Sequence, residues 1–367
     1  MVFAAGQNGI WCNACSMTDT TAVTSDASPA SSWGPPYLLY LGDAPDDLAI
    51  KTARGLAFWR PQWCLGQFRG PACRSSLDLP DLSFAAARAA GANTMVVGTA
   101  NAGGVMGPQT VRDVVAAIEA GLNVASGLHQ RLSAHPAIAE AAARTGRALF
   151  DARAFAHHIP VGNGLRRSGR RLLTVGTDCS VGKMYTTLAL ERELRQRGVA
   201  ADFRATGQTG ILIAGDGVPI DALVADFISG GAEWVSPARD AGGWDLIEGQ
   251  GSLFHPSFAG VSLGLLHGAQ PDALVLCHEP QRSHMRGLPH YALPDLKTCL
   301  EANLQAARLT QNRVVAVGIA LNTSKLTREA AEAACRAAED ALGLPCQDPV
   351  TMGVSRIADK LFSCFAN

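Results

Sequence analysis

The residues best suited to chemistry lie in one stretch, Gly176-Thr177-Asp178-Cys179-Ser180-Val181-Gly182-Lys183-Met184-Tyr185. The apolar run Leu172 to Val175 leads into it, and Thr186 to Glu191 leaves it with helical spacing. A strand, a glycine-bounded loop and a helix start make an anion cradle. The glycines let backbone N–H groups turn inward, the helix adds the positive end of its dipole, and Lys183 adds a mobile cation. Gly176 and Gly182 stand one residue further apart than in G-x-x-x-x-G-K-[ST], and Met184 occupies the place of the Ser or Thr that holds Mg²⁺. A thioether is a poor ligand for a hard cation, so the pattern predicts phosphate binding without ordinary ATP hydrolysis, and no metal is expected.

Other reactive side chains sit at the ends of apolar runs. Trp244 to Ile247 ends in Glu248-Gly249-Gln250-Gly251, which places a carboxylate where it faces the phosphate loop, and Ser252, His255 and Pro256 continue that loop. Glu248 is the leading acid or base. Ala201 to Thr206 runs into Gly207-Gln208-Thr209-Gly210, read as a tight loop presenting an amide and a hydroxyl to a polar ligand. Ala273 to Cys277 ends at His278-Glu279-Pro280, followed by Arg282-Ser283-His284-Met285-Arg286-Gly287 and then His290, where cations and imidazoles could take a carboxylate or a phosphate. Asn101-Ala102-Gly103-Gly104 could let a ligand approach the backbone, but it lacks the G-x-G-x-x-G fingerprint, so NAD is not predicted.

These positions need parallel β-α units to hold them. Short apolar runs alternate with amphipathic ones from Tyr37 onward. Strands are read at Tyr37–Leu41, Cys64–Phe68, Thr94–Gly98, Asn123–Ser126 and Ala148–Phe150, with helices at Asp46–Arg60, Ser83–Ala90, Thr110–Ala120 and Pro136–Arg144. The fold class is α/β: a Rossmann-like parallel-sheet domain over residues 36–153, a linker over 154–170, and a P-loop NTPase-like domain over 171–367. Ligands of the first sheet should lie beyond the loops after Leu41, Gly98 and Ser126. The second domain should close with a helix Leu296–Ala307, a strand Val314–Ile319 and a helix Glu329–Leu342. Adjacent His157 and His158 diverge as neighbours and read as structural. Residues 1–35, rich in Ala, Ser, Thr and Asp without a sustained period, read as a flexible leader with neither the basic start nor the apolar core of a secretory signal.

The 367 residues suit two domains, each with its own core. A net charge of -1 with mixed signs along the chain gives no support for nucleic-acid binding, and no apolar run reaches membrane-helix length, so a cytoplasmic enzyme is expected. Ten cysteines are scattered singly, as in reduced thiols, and the lone C-x-x-C at Cys12 and Cys15 has no second pair to complete a zinc site. Ala-rich helices such as Ala85–Ala90 and Ala137–Ala143 suit either a core or contacts between subunits of a homo-oligomer.

The stretches Gly176–Met184, Thr206–Gly210, Ile247–Pro256, His278–Pro280 and His284–Gly287, with Lys51–Leu56 and Gly127–His129 in the first domain, resemble the DgcN family of N-acetyltransferases acting on D-glutamate and D-aspartate. Met after the loop lysine looks normal in that family. The resemblance implies acetyl-CoA as co-substrate, its phosphates held by residues 176–185, and a small amino acid as the other substrate. Glu248, ahead of Asp178 and His255, would take a proton from the substrate ammonium. Loop N–H groups or Lys183 would meet the charge on the thioester oxygen. The carboxylates of the substrate would pair with Arg204, Arg282 and Arg286, with Arg54 reaching across, and Gln208, Thr209 and His284 would complete the amino-acid site. A more limited resemblance to dethiobiotin synthetase, on Gly176–Lys183 and Glu248-Gly249, implies the alternative of an Mg-ATP enzyme that activates a carboxylate, with Thr186 or Glu248 on the metal. A third reading is a non-catalytic nucleotide or CoA sensor.

Overall fold

Two parallel sheets account for most of the strands in the computed structural model, which describes residues 33–47, 49–99, 104–155 and 157–366. The leader up to residue 32, the Cys12 and Cys15 pair and Asn101–Gly103 lie outside the described residues. In the first sheet β1 (Tyr37–Gly42) is flanked by β2 (Cys64–Arg69) and β3 (Thr94–Val97), and β4 (Asn123–Ser126) and β5 (Leu149–Asp151) follow on the β3 side. All pair in parallel. Every residue of β1 is buried, as a strand covered on both faces by crossover helices requires. Those helices are α1 (Lys51–Trp59), α2 (Phe84–Ala89), α3 (Pro108–Glu119) and α4 (Pro136–Thr145), the last two with proline at the first position, where the missing N–H costs nothing.

The second sheet is built on β6 (Arg170–Gly176). From there the chain runs through α5 (Lys183–Gln196) to β7 (Ala201–Arg204) at one edge, through α6 (Gln208–Ala214) and α7 (Ile228–Val235) back to β8 (Trp244–Ile247), and through α8 (Ala259–Ala269) to β9 (Ala273–His278). A short antiparallel pair, β10 (His284–Met285) and β11 (Leu288–Ala292), then α9 (Leu296–Arg308), β12 (Val315–Leu321), α10 (Arg328–Leu342), β13 (Cys346–Gln347) and α11 (Ser355–Phe365) complete it. The strand order β13-β12-β9-β6-β8-β7 puts β6 between β8 and β9, whose connections depart in opposite directions. The crevice at the carboxyl end of β6 is therefore a topological switch point, the place where such sheets bind ligands.

Several elements depart from the sequence reading. Residues 206–210 are not a turn, because Gln208 opens α6 with Gly207 as its N-cap. Glycine at 210 and the apolar Ile211-Leu212-Ile213 that follows gave no helical period over so short a segment. The stretch after Arg282 leads into the small hairpin β10–β11 rather than an irregular loop, and α7, α8 and α11 have no counterpart in the sequence reading. α8 is apolar nearly all round and rich in glycine, so it has no polar face to mark it.

Arginines just before and at the start of β6 act as staples. Arg171 is buried, its Nε donating to Ser236 Oγ at 2.9 Å and its other nitrogens to the carbonyls of Arg167, Ser168, Gly169 and Pro237. Arg167 likewise donates to carbonyls of Glu233, Ser236, Gly268 and Ala269. His157 lies against Phe155 and Trp234, and it is no ligand to a shared site. No helix among the described residues is long and apolar enough to cross a membrane.

One cluster of buried side chains is continuous through both sheets, from Leu39, Ala53 and Leu56 to Leu188, Ile211 and Ile213. Close backbone approach at the site edge depends on Gly249, where a β-carbon would fall 1.7 Å from the Thr174 carbonyl oxygen of β6. Gly249→Ala is therefore expected to force β8 from β6 and lower the midpoint of urea unfolding, by a loss at or above the upper end of the ~1–3 kcal/mol typical of overpacking.

Candidate functional site

Six successive backbone N–H groups, Ser180 to Tyr185, have no acceptor among the described residues. Ser180 (φ 53°) and Gly182 (φ 104°) both adopt the left-handed conformation, which turns neighbouring amides toward one side and makes a nest for an anion. Lys183 lies behind it, buried, with Nζ donating to the Asp178 carbonyl at 2.7 Å. Burial pulls its ammonium below the usual lysine range, against the opposing pull of Cys179, Cys277 and Asp178. An arriving phosphate would reverse that penalty. The hydroxyls of Thr186 and Thr187 both donate back into their own helix, to Gly182 O at 3.0 Å and Lys183 O at 2.8 Å.

A segment from the end of β9 straps the loop in place. Asp178 is fully buried, its Oδ1 accepting from Cys179 N at 2.6 Å and its Oδ2 from Arg282 Nη1 and Arg286 N, each at 2.7 Å. Arg282 also donates to the carbonyls of Cys179 and Ser180 and pairs with Glu279, which Lys325 meets at 2.6 Å. His278 Nδ1 bonds Thr177 Oγ1 at 2.9 Å, and burial together with Arg282 lowers its pKa. A ring nitrogen of His255 lies within 4.8 Å of Cys179 Sγ and an Asp178 oxygen. By composition the three could hold a metal ion, but Arg282 already neutralises Asp178. His255 Nδ1 accepts from Ser257 N at 3.2 Å, and its Nε2 is buried without a partner.

Glu248, at the end of β8, accepts from Thr206 N and Gly207 N, each at 3.1 Å, at the entry to α6. Burial pushes its carboxyl up to about 7, although those two N–H bonds, Gln250 and Lys183 all oppose the shift. A carboxyl held there can take or give a proton near neutrality.

The first sheet supplies the other wall. Ala53 N bonds Gly98 O at 3.2 Å, fixing the start of α1 at the end of β3, and α1 packs on α6. Thr52 Oγ1 and Thr209 Oγ1 are 3.3 Å apart, and a β-carbon on Gly127, just past β4, would lie 3.2 Å from Gln208 Cβ. Arg153, past β5, donates to Gly127 O at 3.1 Å and to Asp221 at 2.5 Å. The carboxyl edges of both sheets thus meet along these contacts. A β-carbon on Gly55 would stand 3.1 Å from Thr209 Cγ2 and 3.5 Å from Met184 Cε, so this contact admits little more than hydrogen.

Residues 158–358 match the family described as "Domain of unknown function (DUF1611_C) P-loop domain", and residues 67–155 its companion "DUF1611_N Rossmann-like domain". The chain belongs to the DUF1611 family. It is 50% identical over 326 residues to a D-glutamate N-acetyltransferase of Tritonibacter scottomollicae and 49% identical over 327 residues to one of a Pseudoalteromonas species, covering 89% of this chain and 98% of each relative. A crystal structure of a DUF1611 family protein from Anabaena variabilis superposes with a TM-score of 0.82 at 30% identity, covering 91% of this chain and all of that one. At such identity over nearly the whole of those relatives, this DUF1611 chain is an enzyme of the acyltransferase class.

Within the DUF1611 fold, the sequence-read residues sort by location. Gly176 to Lys183 form the cradle, and Glu248, Asp178 and His255 lie beneath or beside it. Met184 and Tyr185 belong to the interface instead, Met184 against Gly55 and Tyr185 against Phe58 and Trp59, so only their backbone N–H groups serve the loop. Gln208 and Thr209 meet the first domain. Arg286 stands at the loop mouth, bonding Ser180 Oγ, whereas His284 is exposed beside Ser283. Arg204 pairs with Asp245 and lines a separate cavity of about 520 Å³ with Arg60, Trp63 and Trp234. Arg54 is exposed and pairs with Asp47 at 2.6 Å.

The raised Glu248 carboxyl carries a stability consequence. Its folded pKa of about 7 exceeds the ordinary 4.5, so the penalty is absent below pH 4.5, grows as pH rises toward 7 and is complete above it. Glu248→Gln is expected to remove that slope, making the variant roughly 3 kcal/mol more favourable relative to wild type at pH 8 than at pH 4.5 in urea titrations, at ~1.4 kcal/mol per pH unit.

Proposed function

We propose that this protein moves an acetyl group from acetyl-CoA to the amino group of a D-amino acid, D-glutamate or D-aspartate, with the loop at 176–185 holding CoA phosphates. The observation that carries the reading is the loop itself, with six unpaired amides and a buried lysine but with Met184 turned into the domain contact and the Thr186 hydroxyl turned into its helix. Such a site favours a phosphate and offers no helix-start hydroxyl to Mg²⁺, which matches the needs of a CoA-dependent transfer rather than of nucleotide hydrolysis. The acceptor comes from the names of the two relatives, both D-glutamate N-acetyltransferases.

A phosphate in the loop engages Lys183, which leaves the acyl chemistry to groups beyond the loop. Glu248 takes a proton from the acceptor ammonium. The amine adds to the thioester carbonyl, and as the carbon–sulfur bond breaks the second proton of the attacking nitrogen passes to sulfur, so that the amide forms and CoA leaves as its thiol. Charge building on the carbonyl oxygen needs donors there, each typically worth about 3 kcal/mol.

Mass spectrometry of products from acetyl-CoA and a panel of D- and L-amino acids, with and without Mg-ATP, tests the reading. N-acetyl-D-glutamate or N-acetyl-D-aspartate formed without ATP is expected, whereas ADP formed only with a carboxylate present and no acetylated product would overturn it in favour of an ATP enzyme. Turnover should rise through about pH 7 as Glu248 ionises. Glu248→Gln should lower kcat by about 100-fold or more and remove that rise. Lys183→Ala should raise KM for acetyl-CoA about 10-fold or more and leave that for the amino acid nearly unchanged.

A further inference from the structure

The phosphate nest has a neighbour on the side away from Glu248. Asn322 is the first residue past β12, and a β-carbon on Gly182 would lie 3.8 Å from Asn322 Cβ. The Asn322 N–H donates to the His278 carbonyl at the end of β9, at 2.8 Å, which fixes the residue beside the loop. Its Oδ1 accepts from Ser324 N at 3.3 Å and keeps a second lone pair, while Nδ2 has no acceptor among the described residues. A half-buried carboxamide is thus held at the rim of the nest with a donor and an acceptor to spare.

Two loops are shaped around that position. Asp348, buried just past β13, accepts from Thr323 N at 2.9 Å and Thr323 Oγ1 at 2.5 Å with one oxygen, and from Val350 N at 2.7 Å and Thr351 N at 3.0 Å with the other. One carboxylate therefore ties the loop after β12 to the loop after β13 through charge-assisted bonds. Val350, in the second of these loops, is left 49% exposed.

Strand order gives a ligand its direction. β6, with the nest at its carboxyl end, stands between β8 and β9, and β12 follows β9. Glu248 ends β8 and receives the N–H groups at the entry to α6, so the proton-handling side of the site is the β8 side. A donor with a phosphate in the nest and its acyl end toward Glu248 must send its other end over β9 toward β12. In CoA every phosphate is attached at or next to the ribose, and pantetheine separates them from the sulfur, so that other end is adenosine. Neighbouring parallel strands lie about 4.8 Å apart, which puts β12 about 10 Å from β6, a span for ribose and base.

On the acetyl-transfer reading above, we propose that the loops after β12 and β13 form the adenosine subsite of the acetyl donor, with Asn322 reading the edge of the adenine. A carboxamide presents a donor and an acceptor side by side, and the adenine amino group with its neighbouring ring nitrogen presents the complement. Val350 offers apolar surface to a ring. Asn322 is a specificity residue for the donor and takes no part in the proton transfers.

The test is steady-state kinetics of wild type and Asn322→Ala with D-glutamate and two donors, acetyl-CoA and its etheno-adenine analogue, whose added ring covers the amino edge of the base. Wild type should prefer acetyl-CoA about 10-fold or more in kcat/KM, the effect of one or two hydrogen bonds. Asn322→Ala should raise KM for acetyl-CoA about 10-fold, leave the analogue within a few fold of its wild-type value, and so erase the preference. Neither kcat nor KM for D-glutamate should move much. Equal losses with both donors would assign Asn322 to the loop framework or to a phosphate, and a loss in KM for D-glutamate would place it on the acceptor; either overturns the proposal. So would a wild type that does not discriminate between the donors, or a variant that still does. A wild-type protein that forms no N-acetylated product from acetyl-CoA with D-glutamate or D-aspartate would overturn the acetyl-transfer reading itself, and this inference with it. The Asn322 side chain makes one hydrogen bond among the described residues, to Ser324 N, so thermal unfolding of the variant should stay close to wild type and separate lost recognition from lost folding.

Discussion

The contact between α1 and α6 is the constraint on which the site depends. Each parallel sheet alone offers a crevice at its carboxyl edge, and neither crevice is complete. Packing α1 on α6 turns the two edges toward each other, and the packing is close because Gly55 brings no side chain between the helices. Met184 and Tyr185 continue the same seam. The residue that replaces a magnesium ligand in sequence is, in space, a piece of hydrophobic core between domains. A Ser or Thr at 184 would weaken that seam, and this gives a packing reason for methionine beyond any absence of metal chemistry.

Charge in the site is arranged in layers. At the bottom, Asp178 takes three donors and neutralises Arg282, fixing the strap from β9 onto the loop. Above it the loop amides and Lys183 make a cradle whose positive charge is poorly solvated. Arg286 closes the loop mouth through Ser180, and Arg153 of the first domain pairs with Asp221. The whole chain carries a net charge of -1, so this positive region is local. It concentrates small anions without making the protein a general polyanion binder. Glu248 is the one carboxyl among these groups whose burial leaves it able to titrate near neutrality, and its two N–H partners keep it from being pushed higher.

Local chemistry in the sequence determined a great deal. The apolar runs of β1, β6 and β9 are continuous because parallel strands are buried on both faces, so their positions and the α/β class could be read directly. The glycine-bounded loop with Lys183 was legible because its left-handed turns at Ser180 and Gly182 make a backbone conformation that few sequences permit. Glu248 was legible because it ends a strand beside that loop. The short α6 and the glycine-rich α8 were not, because neither carries the polar stripe by which a helix is recognised.

Only the tertiary structure decided which charges are free. Arg54, Arg204, Arg282 and Lys51 look equivalent along the chain, yet the first three meet carboxylates at Asp47, Asp245 and Asp178, residues 7, 41 and 104 positions away, and Lys51 has no ion pair among the described residues. Sequence fixes side-chain type and local spacing, whereas ion pairing depends on distances set by strand order and domain packing. The same holds for Met184, whose neighbour is Gly55 of the other domain. The loop is a property of ten consecutive residues, but the contact of α1 with α6 is a property of two sheets meeting, and no local pattern could encode it.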